Sequence, residues 1–172
     1  MKTKCTILFV VLLIFCFTMP LVIEASHRRS LIHKETEKFS LFQSDLQLVN
    51  QYVITSSSDS GFVSYGIVKD NGKITGMIGY SQHSEQGTEI ELDTGILDAL
   101  NHIYHHLIER DFSFIDISAE RITYGGLGNR MYVFSRNGNR PKYFYFPGDA
   151  RNDNFKTYHL KDNWYLLTFS SR

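Results

Sequence analysis

Apolar residues follow two repeats along this chain, steps of three and four in one segment and steps of two in most others. Between 93 and 110, Ile96, Leu97, Leu100, Ile103, Tyr104, Leu107 and Ile108 recur at three- and four-residue steps. That is the stripe an amphipathic helix turns towards a core. Asp93 or Thr94 stands where a side chain can accept a free backbone N–H, and Arg110 ends the segment favourably for the helix dipole. The spacing therefore predicts a helix over 93–110.

Elsewhere the pattern is that of strands. Residues 62–70 and 73–80 flank Asn71-Gly72, a pair suited to a type I′ turn because both residues tolerate positive φ. That register puts Val63, Tyr65 and Ile67 on one core-facing side with Ile74, Ile78 and Tyr80. A polar loop at 81–87 leads to a short strand at 88–92. After the helix, 112–118 and 120–124 read as one bent strand or two. Gly125–Gly128 reads as a turn, and since a strand follows it, it lacks the helix a phosphate cradle needs. A second hairpin joins Arg130–Arg136 to Pro141–Phe146 around Asn137-Gly138, and a third joins 156–160 to 163–169 near Asp162-Asn163. Residues 41–55 fit either period, and their closing Y-V-I-T suits a strand. The S-S-S-D-S-G run at 56–61 reads as a loop. Together these elements predict an α+β fold: an antiparallel sheet built from hairpins with one main central amphipathic helix.

The first 40 residues stand apart from this pattern. Lys2 and Lys4 precede a long apolar run broken by Pro20, and I-E-A-S offers a cleavage point after Ala25. Residues 1–25 thus read as a signal peptide, with an N-terminal membrane anchor as the rival, since Cys5–Ile23 is just long enough to span a bilayer. Residues 26–40 are charged and read as a flexible polar lead-in, leaving 41–172 as a single α+β globular domain. Both cysteines, Cys5 and Cys16, lie in the leader, so a processed chain would hold no disulfide and no thiol chemistry. The expected location is secreted or in the cell envelope.

The formal net charge is zero, which gives no bulk attraction to nucleic acid or to a membrane. The balance is uneven along the chain, however. Residues 35–120 carry 14 acidic and 4 basic side chains, a net of −10; residues 121–172 carry 3 and 9, a net of +6. Either the halves neutralise each other across one fold, or 121–156 presents a basic face to an anionic partner.

Two groups of residues carry candidate chemistry. On the helix, His102, His105 and His106 fall opposite the apolar stripe beside Asp98 and Glu109. They can form an ordinary wet face or a patch that gains charge in mild acid. They can also chelate a divalent transition metal, with His102 and His106 four apart as ligands and Glu109 adding an oxygen. The H-E-x-x-H pattern of metalloproteases is absent. In the second hairpin, Arg130, Tyr132, Phe134 and Arg136 share a face with Tyr143 and Tyr145. Tyrosine and arginine together offer contact area and hydrogen bonds, as binding surfaces do; equally, the tyrosines can pack beneath a neighbouring element with their hydroxyls at the rim.

With no G-x-S-x-G and no complete catalytic set, the sequence points first to an exported, non-enzymatic binding domain. Its expected partner is a protein or an anionic envelope polymer, met through the Tyr/Arg hairpin face, with no cofactor. The alternative is an envelope hydrolase, metal-dependent or acid–base, that uses the helix histidines.

Overall fold

The computed structural model describes residues 19, 22–23, 25–26, 28–82, 84, 86–107, 112–126, 130–142 and 155–169. Most of the expected leader lies outside them. Among the described residues, no helix is long and apolar enough to cross a membrane. The chain divides into two compact units, Met1–Glu37 and Lys38–Arg172. In the first, residues 28–37 are helical (α1), although their charged composition suggested a lead-in without structure. Thr36 Oγ1 there donates back to the Ile32 carbonyl at 2.8 Å.

The second unit is α+β, as expected, with all its strands antiparallel. It opens on helical residues 38–40, followed by α2, Gln43–Ser60. Next come β1 (Phe62–Asp70), β2 (Lys73–Ser81), β3 (Thr88–Ile90) and α3 (Thr94–Leu107). The remaining strands are β4 (Phe112–Ile117), β5 (Arg121–Gly126), β6 (Arg130–Ser135), β7 (Phe155–Lys161) and β8 (Trp164–Phe169). They form one eight-stranded sheet in the order β3-β2-β1-β4-β5-β6-β8-β7.

Helix α3 forms over Thr94–Leu107 of the predicted 93–110, and residues 108–110 lie outside the described residues. Ile96, Ala99, Leu100, Ile103 and Leu107 are buried, and Asp93 Oδ1 accepts the Ile96 N–H at 2.9 Å as the cap. Helix α2 replaces the strand and loop expected over 52–61. Leu46, Val49, Asn50 and Val53 are buried, at steps of three and four that a helix aligns on one face. The hydroxyls of Thr55 and Ser58 donate to the carbonyls four residues back, so the Ser/Thr run continues the helix. Gly61, at φ 71°, ends it in the left-handed conformation.

The first hairpin has its expected turn, with Asn71 at φ 49° and Gly72 at φ 75°. Its facing pattern differs. Val68 pairs with Gly76 but Lys69 pairs with Ile74, so Thr75 is an extra residue in β2. This bulge reverses the alternation beyond it. Met77 and Gly79, rather than Ile78 and Tyr80, therefore lie opposite Ile67 and Tyr65. A second irregularity, between Phe62 and Ser64, leaves Val63 exposed. The β7–β8 hairpin forms as expected, with Asp162 at φ 51°.

Of the partner strand expected for β6 at 141–146, residues 143–146 lie outside the described residues. Strand β6 lies between β5 and β8, which occupy both of its edges. Its two faces are both buried. Tyr132 joins Ile115, Ile122, Tyr124, Trp164 and Leu166 in the main core with Phe39, Phe42 and the buried faces of α2 and α3. Met131 and Val133 join Leu167 in a smaller cluster on the opposite face, flanked by Phe114, Phe155 and Phe169.

Candidate functional site

Among its described members, the hairpin face expected from the sequence is not one exposed surface. Tyr132 is 1% exposed, stacked 6.0 Å from Phe39 and edge-on to Phe42 at 5.6 Å. Phe134 is half-buried, 5.2 Å from Trp164. Arg130 is half-buried at the start of β6. Arg136 is exposed in the turn and donates to the Ser118 carbonyl at 3.2 Å. Tyr143 and Tyr145 lie outside the described residues. The physical reason is lateral: a strand flanked on both edges, with helices over one face, buries the residues that a free hairpin would show.

What β6 does deliver is a cleft at its end, with a volume of about 340 Å³. Arg121, Arg140 and Lys142 line it, with Glu120 the one carboxylate among the described lining residues. The chain around it is held by local bonds. Asn137 Oδ1 accepts from Ser135 Oγ at 2.9 Å and from the Asn139 N–H at 3.0 Å. Gly138 sits at φ 75°, and its carbonyl accepts from Tyr165 Oη at 3.0 Å. Arg140 donates to the Thr157 carbonyl at 3.1 Å, and Thr157 Oγ1 donates to the Pro141 carbonyl at 3.3 Å. The cleft thus collects three cations of the basic C-terminal half on a braced turn. The residues lining the cleft were not identifiable from spacing in the sequence.

The histidines of α3 form the second constellation. They do not face water alone, because α2 lies beside them. His102 Nδ1 donates to Asp45 Oδ2 at 2.7 Å, a charge-assisted contact. His102 Nε2 meets His106 Nε2 at 3.2 Å. The two rings cross at 73° with centroids 4.8 Å apart. The ring of His106 stacks on the buried Phe42, at 5.5 Å and 17°. His105 is exposed, its ring 5.6 Å from that of His106. Burial holds the His106 pKa below the usual imidazole value, and His102, His105 and Lys38 push it the same way against Asp45.

Of the expected metal ligands, the structure brings His102 and His106 together, while Glu109 lies outside the described residues. His159 is committed elsewhere, with Nε2 2.7 Å from the Asp162 carbonyl. Among the described residues, no group of three or more His, Cys, Asp or Glu side chains is arranged to hold a metal ion. Nothing in the sequence around Asp45 marks it as a partner of the histidines. Its contact with His102 spans 57 residues and depends on α2 being a helix.

Compared with known proteins, the chain matches no family model, no curated protein and no solved structure.

Proposed function

We propose that this chain is an exported binding domain that recognises an anionic partner through the basic cleft at the end of β6. The single observation that carries the reading is the convergence of Arg121, Arg140 and Lys142 on one cleft of about 340 Å³ whose turn is braced by side-chain bonds. That volume is within the range of small-ligand sites, roughly 300–1,000 Å³, and accommodates a phosphate or carboxylate group with its attached residue. Charged side chains on a fixed frame bind anions with little ordering cost. The location rests on the sequence of residues 1–25, a charged start followed by an apolar run and a small-residue junction.

The test is a calorimetric titration of the purified chain with polyphosphate and with polyglutamate. Binding to at least one polyanion, weakening steeply with added salt, is expected. The Arg140→Gln/Lys142→Gln double variant should lose most of it while keeping its fold. No binding by the native chain, or equal binding by the double variant, rejects the proposal.

A second reading, a hydrolase working through the α3 histidines, draws on one observation: Asp45 orients His102 as a carboxylate orients a general base. Hydrolysis assays with and without added zinc, run on native chain and His102→Gln, separate it from the first.

A further inference from the structure

Away from the cleft, one contact on α3 is nitrogen to nitrogen. His102 Nε2 and His106 Nε2 stand 3.2 Å apart on one turn of α3. We propose that His102 and His106 are a chelating pair for one divalent transition-metal ion of the zinc, nickel or copper class, with Asp45 as the carboxylate behind the first ligand. The inference is independent of the basic cleft and requires no catalytic activity.

The distance is the first argument. A zinc–imidazole bond is about 2.0–2.1 Å, and two such bonds at a tetrahedral angle place their nitrogens roughly 3.3–3.4 Å apart. The observed separation is close to that value before any ion is added. The four-residue spacing supplies it, because i and i+4 lie one above the other on a helix face.

The second argument is orientation. Asp45 accepts the Nδ1–H of His102 at 2.7 Å, which leaves Nε2 of the neutral ring with its lone pair directed at His106. A carboxylate holding the far nitrogen of a ligand histidine fixes its tautomer and raises its basicity. His106 is held in turn by its stacking on Phe42. In the ion-free pair one nitrogen must donate a proton to the other. A bound metal takes the place of that shared proton: the one N–H proton of neutral His106 moves through solvent from Nε2 to Nδ1, and both Nε2 atoms become donors of lone pairs.

The third argument is access. His102 is 48% exposed and Asp45 is 24% exposed, so an ion reaches the pair without opening the core. Two protein ligands leave the other positions to water or to a donor atom from an incoming molecule. Affinity is accordingly below that of a closed four-ligand site.

Titration of the full chain with zinc chloride, followed by calorimetry, tests the assignment, with nickel chloride as the second probe. One ion per chain is expected. His102→Gln and His106→Gln should each abolish stoichiometric binding, and Asp45→Asn should weaken it about 10- to 100-fold. His105→Gln should bind as the native chain does. Circular dichroism confirms that each variant is folded; these side chains are at the surface and carry little of the core. Absence of a one-to-one isotherm in the native chain overturns the proposal, as does native-like binding by either the His102 or the His106 variant.

Discussion

The side chain of Asn101 on α3 satisfies both backbone groups of Ile74 on β2. Its Oδ1 accepts the Ile74 N–H at 2.9 Å, and its Nδ2 donates to the Ile74 carbonyl at 2.9 Å. The second Nδ2 proton goes to the Leu97 carbonyl at 3.0 Å, which fixes the amide against its own helix. β3 pairs only with Met77–Gly79 of β2. The edge of β2 at Ile74 would otherwise offer an unpaired donor and acceptor close to the core. One asparagine thus does the work of a missing stretch of strand and pins α3 to the sheet.

Replacing that amide should therefore be costly. Asn101→Ala removes both partners of Ile74, and leaving partly buried backbone groups unsatisfied costs about 1–3 kcal/mol. Urea denaturation should show a midpoint shift of that size with an unchanged slope. A wild-type midpoint would mean that water replaces the amide without loss.

Asp116 makes stability depend on pH. It is half-buried on β4, between Ser64 of β1 and Thr123 of β5. Burial raises its pKa from 3.8 to about 6, against the opposing pull of Arg121. A carboxyl with a raised folded pKa favours the folded state while it is protonated in both states. That contribution is lost as pH rises from about 4 to about 6, and above 6 the ionised group is a constant burden. Asp116→Asn should unfold later than the native chain at pH 7.5, by about 1–2 kcal/mol once partial solvent screening is allowed for. Near pH 3.5 the two should unfold alike. Thermal melts across this range give the comparison, and parallel curves would show that Asp116 titrates normally.

Several elements were legible in the residues, for local reasons. Asn71-Gly72 encodes its turn because few other pairs tolerate two positive φ angles. Helix α3 shows a clear stripe because only one of its faces is buried. Helix α2 was obscured because Tyr52-Val53-Ile54-Thr55 has strand propensity, and the packing of Leu46, Val49 and Val53 overrides it. The two faces of β6 follow the alternation of the residues, and what differs is that the Tyr132 face is covered too. Alternation separates two faces, yet it does not say that both are covered, and Tyr132 and Val133 are each buried on opposite sides. The Asp45–His102 contact, 57 residues apart, is long-range and carries no signature in either segment.

A buried hydroxyl links α2 to the centre of the sheet. Tyr124 Oη donates to Asn50 Oδ1, and burial raises the phenol pKa well above its usual value, so the donor stays protonated. Tyr124→Phe leaves the Asn50 acceptor without this partner and should cost about 1–2 kcal/mol. In a double-mutant cycle with Asn50→Ala, the second substitution should cost less once the first is made. Strict additivity would show that the two side chains do not act together.

Glycines of β2 report on the bulge by their contrast. At Gly79 an added Cβ would lie 2.7 Å from Cδ2 of Phe62, and three atoms of that ring lie within 2.8 Å. Phe62 cannot readily give way, since it packs against the main core and meets Tyr65 edge-on at 5.9 Å. At Gly76, on the same strand, nothing lies within 4 Å of the Cβ position. Gly79→Ala should cost about 1–3 kcal/mol through overpacking. Gly76→Ala should be neutral or slightly stabilising, because it restricts only the unfolded chain. Phe62→Leu, introduced with Gly79→Ala, should recover part of the loss by removing the ring atoms in the way. Equal midpoints for the two single variants would contradict the placement of Phe62 over Gly79, and with it the shifted register that brings Gly79 opposite Tyr65.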